Sequence, residues 1–215
     1  LLENVASLLT HDHGNTWRMV HGALHDLSDY SVDHKVMSPV NYGFPHSRNR
    51  LFIIGLHKSC FGNFKHTYPP LSDSLVDIDT LLVDNQQAEA WEPSCVRPIP
   101  PCAESTITET LRLGRDKGID VTEETCFVDV SFKLPKCQIR WNRPRVVTCL
   151  HTQSYNVYIT NRARFITGRE MLALQGFPHT YCDSLKYRTR IIRAAGNSMC
   201  VPLISQILRP YLEHM

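Results

Sequence analysis

Residues 41–55 read NYGFPHSRNRLFIIG. Two arginines, Arg48 and Arg50, stand at the mouth of an unbroken apolar run over residues 51–56. A run of strand length with no polar alternation reads as a strand covered on both faces, as in a parallel sheet. Arginine is costly to bury, so a pair of them leading into such a strand calls for a partner of opposite polarity. Upstream, residues 16–27 (TWRMVHGALHDL) space Trp17, Val20, Leu24 and Leu27 as one face of a helix. Leu1-Leu2 reads as the end of a strand, and residues 34–40 as a short one. Strand, helix, strand, loop, strand predicts an α/β class.

From residue 57 the texture changes. Pro69, Pro70, Pro93, Pro98, Pro100 and Pro101 interrupt the pattern, and residues 57–145 read as an irregular insertion closing in a strand over 126–134. Short strands follow over 146–148 and 156–159. Thr167-Gly-Arg-Glu170 has the form of a capping box opening a short helix over 171–175, stopped by Gly176. Gly196-Asn197-Ser198 precedes a final helix with Leu203, Ile204, Ile207, Leu208 and Tyr211 on its apolar face.

Composition narrows the class. A chain of 215 residues, 42% hydrophobic and 20% charged, has a globular rather than a disordered profile. No apolar run in the sequence reaches the length of a membrane span, and no membrane partner is expected. The eight cysteines form no C-x-x-C pair, so free thiols are expected and no metal site. Net charge is only +2 but uneven. Residues 71–130 hold thirteen acidic against four basic side chains, and residues 140–193 ten basic against two acidic. The basic stretch points to a polyanionic partner, whereas an acidic insertion is unexpected in a reader of nucleic acid.

Four ordered pieces carry the functional signal: ENV at 3–5, YGFPHSRNRLFIIG at 42–55, RFITGREMLALQGFP at 164–178 and AAGNSMCVPL at 194–203. Together they resemble the sixth, eighth, ninth and tenth blocks of the cytosine-5 DNA methyltransferase family, that is, its C-terminal half. The resemblance implies the C-terminal part of a Rossmann-like sheet (residues 1–56), a variable target-recognition region (57–145), and a return to the catalytic domain (146–215). It implies S-adenosyl-L-methionine (AdoMet) as cofactor and DNA as partner. The tRNA-modifying branch, which the Pro-x-Ser-Arg-x-Arg pattern also resembles, keeps RNA open. The setting would be the nucleus in a eukaryote, or the cytoplasm in a bacterium or virus.

The chemistry accounts for the residue types. Methylation at C5 of cytosine needs a nucleophile at C6 and neutralisation of the charge that builds on a ring drawn out of the duplex. By resemblance, Glu3 serves N3, Asn4 orients the site, Arg50 holds O2 and pairs with Glu3, and Arg48 fixes the backbone nearby. Arg164 and Arg169 organise the recognition region, and His46, where the family usually has Gln, joins Gln153 and Ser154 as candidate nucleic-acid contacts. Asn197 and Ser198 are expected beside AdoMet, at a helix N-terminus.

Two family features are not found in these 215 residues: the chain contains no Gly-x-Gly, and no Pro-Cys-Gln. The one Pro-Cys, Pro101-Cys102, falls in the insertion and is read as loop, and Cys149 and Cys200 are read as core thiols. The expectation is therefore a methyltransferase portion whose nucleophile and Gly-rich cofactor loop lie elsewhere in the same polypeptide or on a separate subunit. The competing reading is a non-catalytic DNA-binding subunit.

Overall fold

The structure, a computed structural model, describes residues 1–131, 144–182 and 187–215. The chain opens with β1 (Leu2–Val5), two tight turns and α1 (Asn15–His25). It continues through β2 (Tyr30–Met37) and β3 (Arg50–His57), then a single turn, α2 (Lys58–Phe61). The sheet order is β1-β3-β2, and β3 runs antiparallel to both neighbours. The expected parallel arrangement is corrected here. An apolar run reports that a strand is central and covered on both faces, as residues 51–54 are, but carries no information on its direction. One face of β3, with Phe52, Ile54 and Leu56, packs on Met37, Phe44, Leu203, Ile207 and Tyr211.

The 57–145 region is more ordered than its prolines suggest. It holds α3 (Asn85–Trp91), capped by Asp84, whose carboxylate accepts from Gln87 N at 2.7 Å. It also holds α4 (Pro101–Asp116), sixteen residues long, where the sequence suggested loop. Pro101 sits in the first turn, where a missing N–H costs nothing and the fixed φ favours helix. From α4, Ala103 and Ile107 pack against Val128, Val130, Tyr158 and Phe165. A second antiparallel sheet joins β4 (Phe127–Asp129), β5 (Val157–Ile159) and β6 (Arg164–Phe165) in that order. Of the strand expected over 126–134, residues from 132 lie outside the described ones. The strand expected over 146–148 is a lone bridge from Val147 to His46.

The end of the chain is helical: α5 (Gly168–Ala173), α6 (Arg188–Asn197) and α7 (Val201–His214). The capping box forms in full, Thr167 Oγ1 accepting from Glu170 N and Glu170 Oε2 accepting from Thr167 N. Gly176, at φ +86°, lies so close to Pro202 that a Cβ would approach its Cδ to 2.2 Å. Residues 188–214 are together long and apolar enough to match a membrane span. They break at Ser198–Cys200, however, and bury Ile191, Ile192, Leu203, Ile207 and Tyr211 in the two larger cores.

The capping box is also an electrostatic brace. Arg164, 1% exposed, donates to both Glu170 oxygens at 2.8 and 2.7 Å, to Asn85 Oδ1 at 3.0 Å and to Val83 O at 2.8 Å. Removing one member of such a buried pair strands the other, whereas replacing both with apolar groups costs less. Arg164→Met should therefore lower unfolding free energy by about 3–5 kcal/mol. The Arg164→Met/Glu170→Leu double variant should lose less than the single one, as read from urea unfolding.

Candidate active site

Sheet register places the first two candidate residues. Glu3 lies opposite Phe52, and Arg50 precedes Phe52 by two on the same face, so the two are diagonal cross-strand neighbours. Arg50 Nε stands 2.9 Å from Glu3 Oε1. Glu3 Oε1 is buried yet has no aligned hydrogen bond, so the pair is held by charge and leaves acceptor capacity unused. Arg50 turns its other donors to Asn49 O at 2.8 Å and towards Cys149 Sγ at 4.0 Å. Asn4 pairs with Leu51 and so projects from the opposite face to Glu3, where its Oδ1 accepts from Val5 N.

Arg48 is a structural tie. It is 6% exposed, and it donates to Leu150 O at 2.5 Å and Gly196 O at 2.8 Å, while its own N–H bonds Ser38 Oγ at 3.0 Å. Burial, and then the neighbouring Arg50, press its pKa below the usual range. One guanidinium thus fixes the β3 entry, the 149–152 stretch and the end of α6 together. The approach is close: a Cβ on Gly196 would come within 2.4 Å of the backbone at His151 and Thr152.

Glu3, Pro39, Arg48, Arg50, Met199 and Cys200 line a shared hollow. It has room for about one water molecule, roughly 10 Å³, so these residues do not enclose a pyrimidine.

A model of the C-5 cytosine-specific DNA methylase family matches residues 1–213. The chain belongs to that family. It is 32% identical to type II methyltransferase M.HaeII of Haemophilus aegyptius, an alignment covering 96% of this chain and 58% of that protein. It is 31% identical to M.NgoBI of Neisseria gonorrhoeae, over 95% of this chain and 57% of that one. The chain thus spans less than three fifths of the length of these relatives. Among solved structures it resembles a mutant DNMT2 from Spodoptera frugiperda, with TM-score 0.60, 14% identity, 96% of this chain and 64% of that chain. A putative prophage DNA modification methyltransferase (E. coli) gives TM-score 0.56 and 16% identity, over 98% and 67%. At those identities the two structures speak to the fold.

Against this methylase background several expected contacts change character. His46 is fully buried, its Nε2 accepting from Leu150 N at 3.4 Å, so it packs the loop before β3 instead of meeting nucleic acid. Arg164 is the internal brace already described. Ser154 is 1% exposed, its hydroxyl accepting from His151 N. Gln153 is exposed, and Arg169 is partly exposed, stacked 5.0 Å over Trp91 with a bond to His179 O. Asn197 and Ser198 stand at the C-terminal end of α6, not at a helix N-terminus. Ser198 N and Oγ are already committed to the carbonyls of Ala194 and Ala195, because they finish that helix. Asn197 is exposed and adjacent to the hollow-lining Met199 and Cys200.

Cys149, expected as a core thiol, is placed otherwise, and the role of Glu92 escaped the sequence reading. Cys149, half-buried, sits between both arginines, 4.0 Å from each. Glu92 forms a short ion pair with Arg188 and accepts from Gly168 N at 3.0 Å, tying α6 to the start of α5. Burial raises the Glu92 pKa against the pull of Gly168 N–H and Arg188.

Burial, then the charges of Arg48 and Arg50, drive the His46 pKa from 6.5 to about 3, with Gln175 opposing. The unfolded chain binds this proton from pH 6.5 downward and the folded chain does not, so stability falls as pH drops from 6.5 towards 3. Between pH 7 and 5 the native protein should lose about 2 kcal/mol more than His46→Gln, measured by urea unfolding at both values.

Proposed function

We propose that this chain is the base-holding and recognition portion of an AdoMet-dependent DNA (cytosine-5-)-methyltransferase. The observation that supports it most strongly is the Glu3–Arg50 pair, a carboxylate with a buried, unused acceptor set against a guanidinium at a strand mouth. A cytosine extruded from the duplex presents O2 and N3 side by side. Arg50 donates to O2 and Glu3 serves N3, so the charge that builds on the ring when a nucleophile adds at C6 is met by fixed groups. Arg48 acts as a positioning residue, because its Nη1 and Nη2 bond the backbone carbonyls of Leu150 and Gly196. Gln153 and Arg169 serve recognition in this reading, while Asn4, on the opposite face to Glu3, takes no part in holding the base. The exposed Arg190 and Arg193 on α6 suit phosphate contacts on the approach to Asn197.

AdoMet supplies the methyl group when bound. The described residues fit only one edge of its site: Asn197 can offer its exposed amide, while Ser198 is already bonded within α6. The nucleophilic Cys and the Gly-rich cofactor loop belong, in this proposal, to polypeptide outside these residues. A DNA substrate also places the reaction inside the cell.

In the active polypeptide, Arg50→Ala should lower methyl transfer to DNA by roughly 10²–10³-fold or more, with a small loss of DNA affinity. Tritium transfer from labelled AdoMet and a DNA-binding titration at fixed salt read the two quantities. An equal fall in both would assign Arg50 to phosphate binding. DNA binding without transfer in any complex containing the chain would favour the non-catalytic subunit, and transfer to tRNA but not DNA would favour the RNA branch.

A further inference from the structure

The face of α1 turned towards the edge strand β2 carries a cluster that the proposed reaction does not use. His21 and His25 are one helical turn apart, and their Nε2 atoms lie 3.1 Å from each other. His34 on β2 is 5.4 Å from His21, ring to ring. Trp17 packs on both, 5.2 Å from His21 and 4.6 Å from His34, and so restrains the two rings. Both ligand rings reach solvent, His25 being exposed and His21 partly so.

We propose that His21 and His25 form a surface site for a divalent transition metal of the zinc, nickel and copper class, with His34 beside it. Two imidazoles bound at about 2.0–2.1 Å and a tetrahedral angle hold their nitrogens roughly 3.3 Å apart, close to the spacing present. Imidazole suits these metals, whereas hard oxygen-seeking cations would find no carboxylate among the paired groups. Without metal, the same spacing serves one neutral N–H···N bond, with one ring carrying its proton on Nε2. Moving that proton to Nδ1 frees both Nε2 lone pairs with no net proton release. Burial, and then the neighbouring His25 and His34, lower the His21 pKa. Three ligands do not converge on one point among the described residues, so two protein nitrogens and water make an exchangeable site. It lies away from the Glu3–Arg50 hollow, and so stands or falls independently of the proposed reaction.

Zn²⁺ titrated calorimetrically into the purified protein at pH 7.5 should show one more bound equivalent in the native protein than in His21→Gln/His25→Gln. His13→Gln should keep the native number. Cu²⁺ added to the native protein should give an electron paramagnetic resonance spectrum with hyperfine structure from two imidazole nitrogens, a readout independent of any variant. Equal Zn²⁺ stoichiometry in the native and double-variant proteins, or a Cu²⁺ spectrum with no such nitrogen pair, would overturn the site and leave the rings a hydrogen-bonded pair.

Discussion

A single guanidinium, that of Arg48, holds three separate stretches of chain in one place. Its partners, Leu150 O and Gly196 O, lie 102 and 148 residues away in sequence. A buried charge is tolerated when it is hydrogen-bonded, and Arg48 has Nη1 on Leu150 O and Nη2 on Gly196 O, so the β3 entry, the 149–152 stretch and the end of α6 must arrive together. That constraint sets the wall on which the neighbouring Arg50 meets Glu3. The division of labour between the arginines follows from geometry: Arg48 turns both terminal nitrogens to distant backbone carbonyls, while Arg50 faces a carboxylate with an oxygen still unbonded.

The uneven charge along the sequence finds its explanation in internal pairing. Acidic residues of the 71–130 stretch meet basic residues of the later stretch: Arg145 with Asp77, Asp79 and Glu124, Arg162 with Asp79, and Arg188 with Glu92. The acidic insertion is in part the counter-charge that lets arginine-rich segments fold beside it. Fewer basic side chains are left to face a polyanion than the sequence count suggests, and those on the outer side of α6, Arg190 and Arg193, gain weight accordingly.

What could be read in advance was what depends on neighbours in the chain. The Thr167–Glu170 box, helix α1 and the central burial of β3 are local patterns, and each forms, although α1 ends at His25 and leaves Leu27 beyond it and exposed. Strand direction is not local, so β3 was misread as parallel. Helix α4 was hidden by prolines that prove to start it, and α6 by arginines that dilute its apolar face. The polar residues were the hardest. His46, Ser154 and Arg164 have the composition of ligand-binding residues, yet all are buried. For His46 and Arg164 the partners that make burial affordable, Leu150, Val83 and Asn85, are distant in sequence. Glu3 and Arg50 were legible together only through the ordered family blocks, and the register of β1 on β3 then supplied a physical reason for their meeting.

The most direct measurement is a crystal structure of the methylating polypeptide on DNA containing its target site. The account predicts a cytosine out of the stack, its O2 within hydrogen-bond distance of Arg50 and its N3 on Glu3, with Arg48 still bonded to Leu150 and Gly196. A target cytosine held by other residues, with the Glu3–Arg50 pair turned away from it, would contradict the account.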